Sequence, residues 1–96
     1  MKIDFHPKAV VELEEARDYY EHQRAGLGRD FEQTFWEGLN RIEDFPLAWQ
    51  ILGTNIRRYR LNRFPYGVIY KPSRELIHVL SVAHLHRRPG HWRGRK

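Results

Sequence analysis

The residues best suited to chemistry stand together near the end of this 96-residue chain. His84, His86 and His91 are interspersed with the adjacent arginines Arg87 and Arg88. An imidazole has an ordinary pKa of about 6.5, so it can take up or release a proton at neutral pH. A guanidinium stays charged and fits a phosphate with paired donors. Side chains of these two types could cleave RNA without a metal, because imidazoles would transfer the protons and arginines would stabilise the charge on the phosphate.

A second group of residues is suited to binding a target. The arginines Arg58, Arg60 and Arg63 supply positive charge, and Tyr66 and Trp92 could stack on bases. Taken singly, each of these residues is typical of a solvent-exposed surface. Only their clustering in the sequence favours a target-binding site. The same cationic surface could instead dock an acidic, disordered segment of a partner protein. Composition does not choose between these alternatives.

The charge is divided unevenly along the chain. Residues 1–44 contain six Lys or Arg and eleven Asp or Glu, whereas residues 45–96 contain eleven Lys or Arg and one acid, Glu75. The two halves therefore carry net charges of -5 and +10. This division indicates a polyanionic partner or target that meets the second half.

The composition also predicts what the protein lacks. There is no cysteine, and the histidine cluster has no neighbouring carboxylate in the sequence to complete a zinc site, so we expect no metal and no cofactor. No apolar run reaches the roughly 20 residues of a membrane span, and the N-terminus does not resemble a secretory signal. We expect a cytoplasmic protein with no membrane partner.

The first half of the chain must support these groups as a scaffold. Lys2–Phe5 alternates polar with apolar residues, which predicts a short strand. Apolar residues then recur at helical spacing over 8–24 and 29–44, on either side of a Gly-Leu-Gly turn. These segments predict an antiparallel helical hairpin, with Phe31 and Phe35 in its core.

The second half predicts a sheet. Residues 56–62, 66–71 and 75–83 are rich in β-branched and aromatic types and are joined by short turns, which favours a three-stranded antiparallel meander. Residues 46–55 are expected to be a connection with Trp49, Ile51 and Leu52 turned inward. Strand alternation points Tyr59 towards the helices and both Arg58 and Arg60 to the opposite, open face. The whole, residues 1–96, is predicted to be one α+β domain.

Three motifs in this order resemble the RelE/ParE superfamily of bacterial toxins from type II toxin–antitoxin, or plasmid stabilisation, modules. The resemblance covers essentially the whole chain. The motifs are F-x-P-x-A…L-x-x-A-x-x-Y-Y (Phe5, Pro7, Ala9, Leu13, Ala16, Tyr19, Tyr20), R-F-P-Y-x-x-x-Y (residues 63–66 and Tyr70) and V-x-H…R-x-P-x-x-W (Val82, His84, Arg87 or Arg88, Pro89, Trp92).

The resemblance implies a toxin held inactive by a cognate antitoxin. The acidic, partly disordered C-terminal segment of such an antitoxin would lie along the hairpin and sheet, on Leu13, Tyr20 and Phe35 and over Arg58 and Arg60.

The superfamily acts on two targets. ParE-like members block DNA gyrase and are not enzymes in this role, and the R-x-P-x-x-W ending favours that side. RelE-like members are metal-independent endoribonucleases that cleave mRNA on the ribosome. In that alternative the catalytic residues would be His84, Arg87, Arg88 and His91, although Trp92 stands at the position where such an enzyme would carry a tyrosine.

Overall fold

A strand, a helical hairpin and four further strands follow one another in the computed structural model, which describes residues 2–96. The helices are α1 (Pro7–Gln23) and α2 (Leu27–Asp44). The strands are β1 (Lys2–Phe5), β2 (Gln50–Gly53), β3 (Ile56–Arg60), β4 (Tyr66–Pro72) and β5 (Leu76–His84). The predicted α+β class, the hairpin and the meander of β3, β4 and β5 are confirmed.

The strands form one five-stranded sheet in the order β1-β5-β4-β3-β2. β1 pairs in parallel with β5, and the other neighbours are antiparallel. The prediction that residues 46–55 only connect α2 to the meander was wrong, since β2 within them forms an edge strand. Ile51 is 65% exposed there, contrary to the expectation that it turns inward, whereas Trp49 and Leu52 are partly buried.

The turn between the helices is stabilised by hydrogen bonds to Glu21 and by close packing at Gly28. A carboxylate oxygen of Glu21 accepts a hydrogen bond from the amide of Gly28 at 3.0 Å, and the amide of Gly26 bonds the same carboxylate. A Cβ atom at Gly28 would lie 2.8 Å from the backbone oxygen of Arg17, so the two helices approach too closely here for a side chain.

The main hydrophobic core lies between the hairpin and one face of the sheet. Phe31 and Phe35 are fully buried, as predicted, and pack in a cluster with sheet residues such as Val68, Tyr70 and Val79. Tyr59 is 4% exposed on this side, so β3 has the predicted orientation. The sheet is thereby fixed against the helices, and its other face turns away from them.

That other face is partly covered by the residues that follow β5. We call residues 85–96 the C-terminal tail. Its Trp92 is 6% exposed and packs with Ile69 and Leu80, while Leu52 and Ile56 border this second cluster. The expectation of an open face is therefore wrong for this part of the sheet, because the chain folds its own end over it.

Candidate functional site

The C-terminal tail is fastened to the hairpin by Glu12 of α1. Arg95 donates two hydrogen bonds to the Glu12 carboxylate, at 2.8 and 3.1 Å, and Arg87 donates one at 2.7 Å. The side chains of Glu12 and Arg95 are 9% and 8% exposed. A carboxylate from the acidic half thus neutralises part of the basic half. The first half is therefore more than the scaffold that the sequence predicted.

The hydroxyl of Ser81 and the amide of Val82 also donate to Glu12 Oε1, at 2.9 and 3.0 Å. Burial raises the pKa of the Glu12 carboxyl, but the hydrogen bonds from Arg95, Val82 and Ser81 outweigh it and leave the pKa below 4.5. Glu12 is therefore ionised at neutral pH and serves as the anchor of the tail.

His91 belongs to the same buried network. Its Nε2 atom lies 2.8 Å from Ser81 Oγ and 3.8 Å from Glu12 Oε2, and Nδ1 lies 3.3 Å from the carbonyl oxygen of Arg88. Burial lowers the pKa of His91 and the nearby Arg87 lowers it further. The side chain is 11% exposed, so most of the His91 ring is buried in this network, whereas the sequence suggested a freely exposed acid or base.

The histidines have no carboxylate beside them in the sequence, but folding brings Glu12 to His91 from far away in the chain. Within residues 2–96, however, no group of three or more His, Asp or Glu side chains is arranged to hold a metal ion. No helix in the same residues is both long and apolar enough to cross a bilayer.

His84 and His86 stand at the end of β5 and are exposed. Nδ1 of His84 accepts a hydrogen bond from the backbone amide of His86 at 3.1 Å, which places the proton of the neutral His84 ring on Nε2. The His84 ring packs edge-on against Tyr66, with ring centres 5.3 Å apart. His84 is thus oriented by two contacts while one N–H remains available as a donor.

A cleft of about 170 Å³ opens between the tail and the sheet, and we call it the tail cleft. Apolar side chains, among them Leu52, Ile69 and Trp92, contribute to its lining. The titratable residues that line it are Arg58, His84, Arg87, Arg88, His91 and Arg93. None of the described residues lining it is an Asp or Glu, so the cleft is uniformly cationic or neutral.

Arg58 reaches the cleft by lying across β4. A Cβ atom at Gly67 would meet the Arg58 side chain at 2.9 Å, so the glycine on the neighbouring strand makes room for it. Nη2 of Arg58 donates to Gln50 Oε1 at 2.8 Å, whereas its buried Nε has no hydrogen-bond partner within residues 2–96. Burial, together with Arg60, lowers the pKa of Arg58.

The remaining predicted target-binding residues are not gathered in the cleft. Arg60 is exposed farther along β3, and Arg63 forms an ion pair with Asp30 of α2 at 3.6 Å. Tyr66 packs on Tyr20 and the core instead of standing free. Trp92 does line the cleft, but it is buried and cannot stack on a base in this position.

The residues predicted to contact an antitoxin differ in their exposure. Leu13 and Tyr20 are partly buried on the hairpin, whereas Phe35 is fully buried and cannot meet a partner, because it faces the sheet. Apolar side chains that the hairpin does expose are Val10, Val11, Tyr19 and Trp36, each at least 40% exposed. The amphipathic pattern identified the inner face correctly but did not distinguish these outer apolar residues.

Four residues of the site went unrecognised in the sequence: Glu12, Ser81, Arg93 and Arg95. Glu12 carries no local signal, since Glu14 and Glu15 beside it look the same. Arg93 and Arg95 were visible only as part of a basic ending.

Comparison with known proteins agrees with the resemblance. The family model described as the ParE toxin of type II toxin-antitoxin system, parDE, matches residues 3–89. A solved structure titled as a chromosomal ParDE toxin–antitoxin system from P. aeruginosa has a similar fold, with a TM-score of 0.64 at 13% identity over 88% of this chain and 95% of that one. None of the curated proteins compared with the chain matches it. The family match spans nearly all of the chain, from β1 to the start of the tail, and on that ground the chain belongs to the ParE toxins of type II toxin–antitoxin systems.

Proposed function

We propose that this ParE-family toxin acts in the cytoplasm by inhibiting DNA gyrase and is neutralised by a cognate antitoxin. The observation that carries the proposal is the family match over residues 3–89, which includes the hairpin, the sheet and the first residues of the tail. The carboxylate-free tail cleft supports it, because a cationic surface left unpaired by the protein suits a target that presents negative charge.

The hairpin offers a surface for the antitoxin. Val10, Val11, Tyr19 and Trp36 are apolar and exposed on the two helices, and an amphipathic or extended segment could bury them. An acidic segment would also be attracted by the strongly basic second half of the chain. Leu13 and Tyr20 lie partly exposed on the same hairpin, so an antitoxin could contact part of each side chain.

A row of aromatic rings joins this hairpin surface to the tail cleft. Ring centres are 5.2 Å apart from Tyr19 to Tyr20, 6.0 Å from Tyr20 to Tyr66 and 5.3 Å from Tyr66 to His84. His84 lies at the cleft, so an antitoxin segment that follows the hairpin towards Tyr19 would arrive at the cleft edge. Binding there would block access of the target.

Gyrase inhibition is favoured over mRNA cleavage because two of the four predicted catalytic groups are already engaged. Arg87 is paired with Glu12, and His91 is enclosed with Ser81. Cleavage would have to rely on His84 with the exposed His86, whose ring centres are 5.2 Å apart, and on Arg88. The nuclease therefore remains the alternative, and His84→Ala would abolish toxicity only in that case.

The two targets separate in parallel assays on the purified chain. We expect inhibition of DNA supercoiling by gyrase, and no cuts in mRNA translated on purified ribosomes. Codon-positioned mRNA cuts with supercoiling unaffected would overturn the gyrase proposal in favour of the nuclease.

A further inference from the structure

The tail cleft is lined in part by arginines whose charge no carboxylate of residues 2–96 neutralises. Arg88 and Arg93 form no ion pair within those residues, although the Arg93 guanidinium lies 5.1 Å from the centre of the Trp92 ring, and Arg58 is bonded only to the neutral Gln50. Three guanidinium groups thus share a small cleft with no carboxylate in its lining. Charges of one sign that line one cleft repel one another, so an anion in the cleft would be attracted by all three.

Arg58 is held in place by its neighbours. Its stem is confined against Gly67, and its Nη2 atom donates to Gln50. A guanidinium whose stem is already fixed also loses little rotamer freedom when a ligand binds.

The donors suit a phosphate better than a carboxylate. A phosphate group presents several oxygens to different donors at once, and arginine fits it with paired N–H groups. Three arginines and the Nε2–H of His84 approach the cleft from β3, β5 and the tail, which is more donors than one carboxylate can accept. The apolar side chains of Ile69 and Trp92 would accommodate the uncharged part of the molecule.

The size of the cleft limits what enters it. At about 170 Å³ it is smaller than the roughly 300 Å³ at which pockets for whole small molecules begin. It therefore suits one phosphate group with the atoms next to it, the remainder of the molecule lying outside along the basic tail.

We propose that the tail cleft is a phosphate-binding site, formed by Arg58, Arg88 and Arg93 with His84 at its edge. The phosphate can come from a small phosphorylated molecule or from the backbone of a nucleic acid, since both present the same oxygens. The site does not depend on gyrase being the target of the toxin.

Binding of two probes by the purified chain tests the site and separates the two sources. Pyrophosphate represents the free phosphorylated molecule, and a fluorescently labelled single-stranded oligonucleotide represents the backbone. We expect Arg58→Gln to weaken binding of at least one probe about tenfold or more, because hydrogen bonds to a charged group are lost. The matched control is Arg74→Gln, which removes the same charge from an exposed position in the turn before β5 and should leave binding nearly unchanged.

Gly67→Ala provides a second variant that keeps every charge. The added Cβ would push the Arg58 stem aside, so binding should weaken although the net charge is the same. Circular dichroism and thermal unfolding would show that each variant is folded. Loss of binding by Gly67→Ala in a folded protein would come from the shape of the cleft, where the added Cβ meets Arg58 first and then Leu85 at 3.3 Å, and not from the total charge.

Each result of these binding measurements either supports or overturns the phosphate site. Arg58-dependent binding of pyrophosphate alone would assign the site to small phosphorylated molecules. Arg58-dependent binding of the oligonucleotide alone would assign it to a nucleic-acid backbone. Either result supports a phosphate site in the cleft. Equal weakening by Arg58→Gln and Arg74→Gln would overturn it, as would no binding of either probe. Preference for a poly-glutamate peptide over both probes would also overturn it, because the cleft would then be a carboxylate site.

Discussion

Glu12 is the residue on which the tail depends most. It accepts hydrogen bonds from Arg87, Arg95, Ser81 and the amide of Val82 while only 9% of its side chain is exposed. Removal of one partner from a buried ion pair leaves the other charge uncompensated, which costs about 3 kcal/mol or more. We therefore expect Glu12→Gln to lower the free energy of unfolding by about 3 kcal/mol, measured by urea denaturation.

Glu15→Gln is the control for that measurement. Glu15 is exposed on the same helix, and its replacement should change the stability by less than about 0.5 kcal/mol. Equal losses for the two variants would mean that Glu12 does not anchor the tail.

His91 predicts a dependence of stability on pH. Its pKa in the folded protein lies below the ordinary value of 6.5, so the unfolded chain binds a proton more readily than the folded one. The stability that neutral His91 contributes is complete above pH 6.5 and declines as the pH falls through its folded pKa. Unfolding followed at pH 7 and pH 5 should show a smaller decline for His91→Gln than for the unchanged protein, and an identical decline would contradict the assignment.

Glu12 adds to this acid sensitivity in a lower range. Its folded pKa lies below 4.5, so its contribution is present above that value and is lost as the pH falls through the folded pKa. Acid therefore loosens the tail in two stages, first through His91 and then through Glu12.

Some residues of the site were predictable from the sequence and others were not. The histidines and arginines were recognisable as a group because they are neighbours in the chain. Glu12 lies 83 residues from Arg95, and four other acids in the same helix look equally suitable, so nothing local marks it. Only the packing of α1 beside β5 selects it.

Among the elements, the hairpin depends on close contact at Gly28. A Cβ there would meet the backbone oxygen of Arg17 at 2.8 Å, and a backbone atom cannot move aside as a side chain could. Gly28→Ala should therefore destabilise the protein by about 1–3 kcal/mol despite the better helix propensity of alanine. Thermal unfolding next to Gly53→Ala, whose Cβ would meet nothing within 4 Å, provides the comparison. A Gly28→Ala protein as stable as the control would show that the helices can separate freely.

The tail is held to the sheet by Trp92. Because this side chain is 6% exposed and packs with Ile69 and Leu80, Trp92→Ala should cost about 3–5 kcal/mol. Trp36 is 48% exposed on α2, so Trp36→Ala should cost much less in the same chemical denaturation experiment. Similar costs for both would contradict the packing of the tail.

Elements with a strong periodic pattern were predictable. Both helices and the strands β1, β3, β4 and β5 were expected within two residues of their ends, since each combines periodicity with Pro or Gly at a boundary. β2 was missed because its four residues have no alternation of their own and depend on pairing with β3. The parallel pairing of β1 with β5 joins the two ends of the chain and has no local signature.

At the scale of the whole molecule, the two halves of opposite charge do not remain separate. Glu12 of the acidic half fixes the tail of the basic half, and what is left over on the tail side is a cationic cleft. Tyr19, one of the exposed apolar residues of the hairpin, is joined to that cleft by the aromatic row. Charge counting predicted the cationic surface, but not which charges would be neutralised within the fold.

Inhibition of gyrase by matched variants tests this account most directly. Supercoiling would be measured with the unchanged protein, Arg88→Gln and Arg74→Gln, which lose the same charge at the cleft and away from it. We expect the unchanged protein and Arg74→Gln to inhibit equally, and Arg88→Gln to inhibit about tenfold more weakly because a charged contact to the target is lost. Full inhibition by Arg88→Gln, or no inhibition by the unchanged protein, would contradict it.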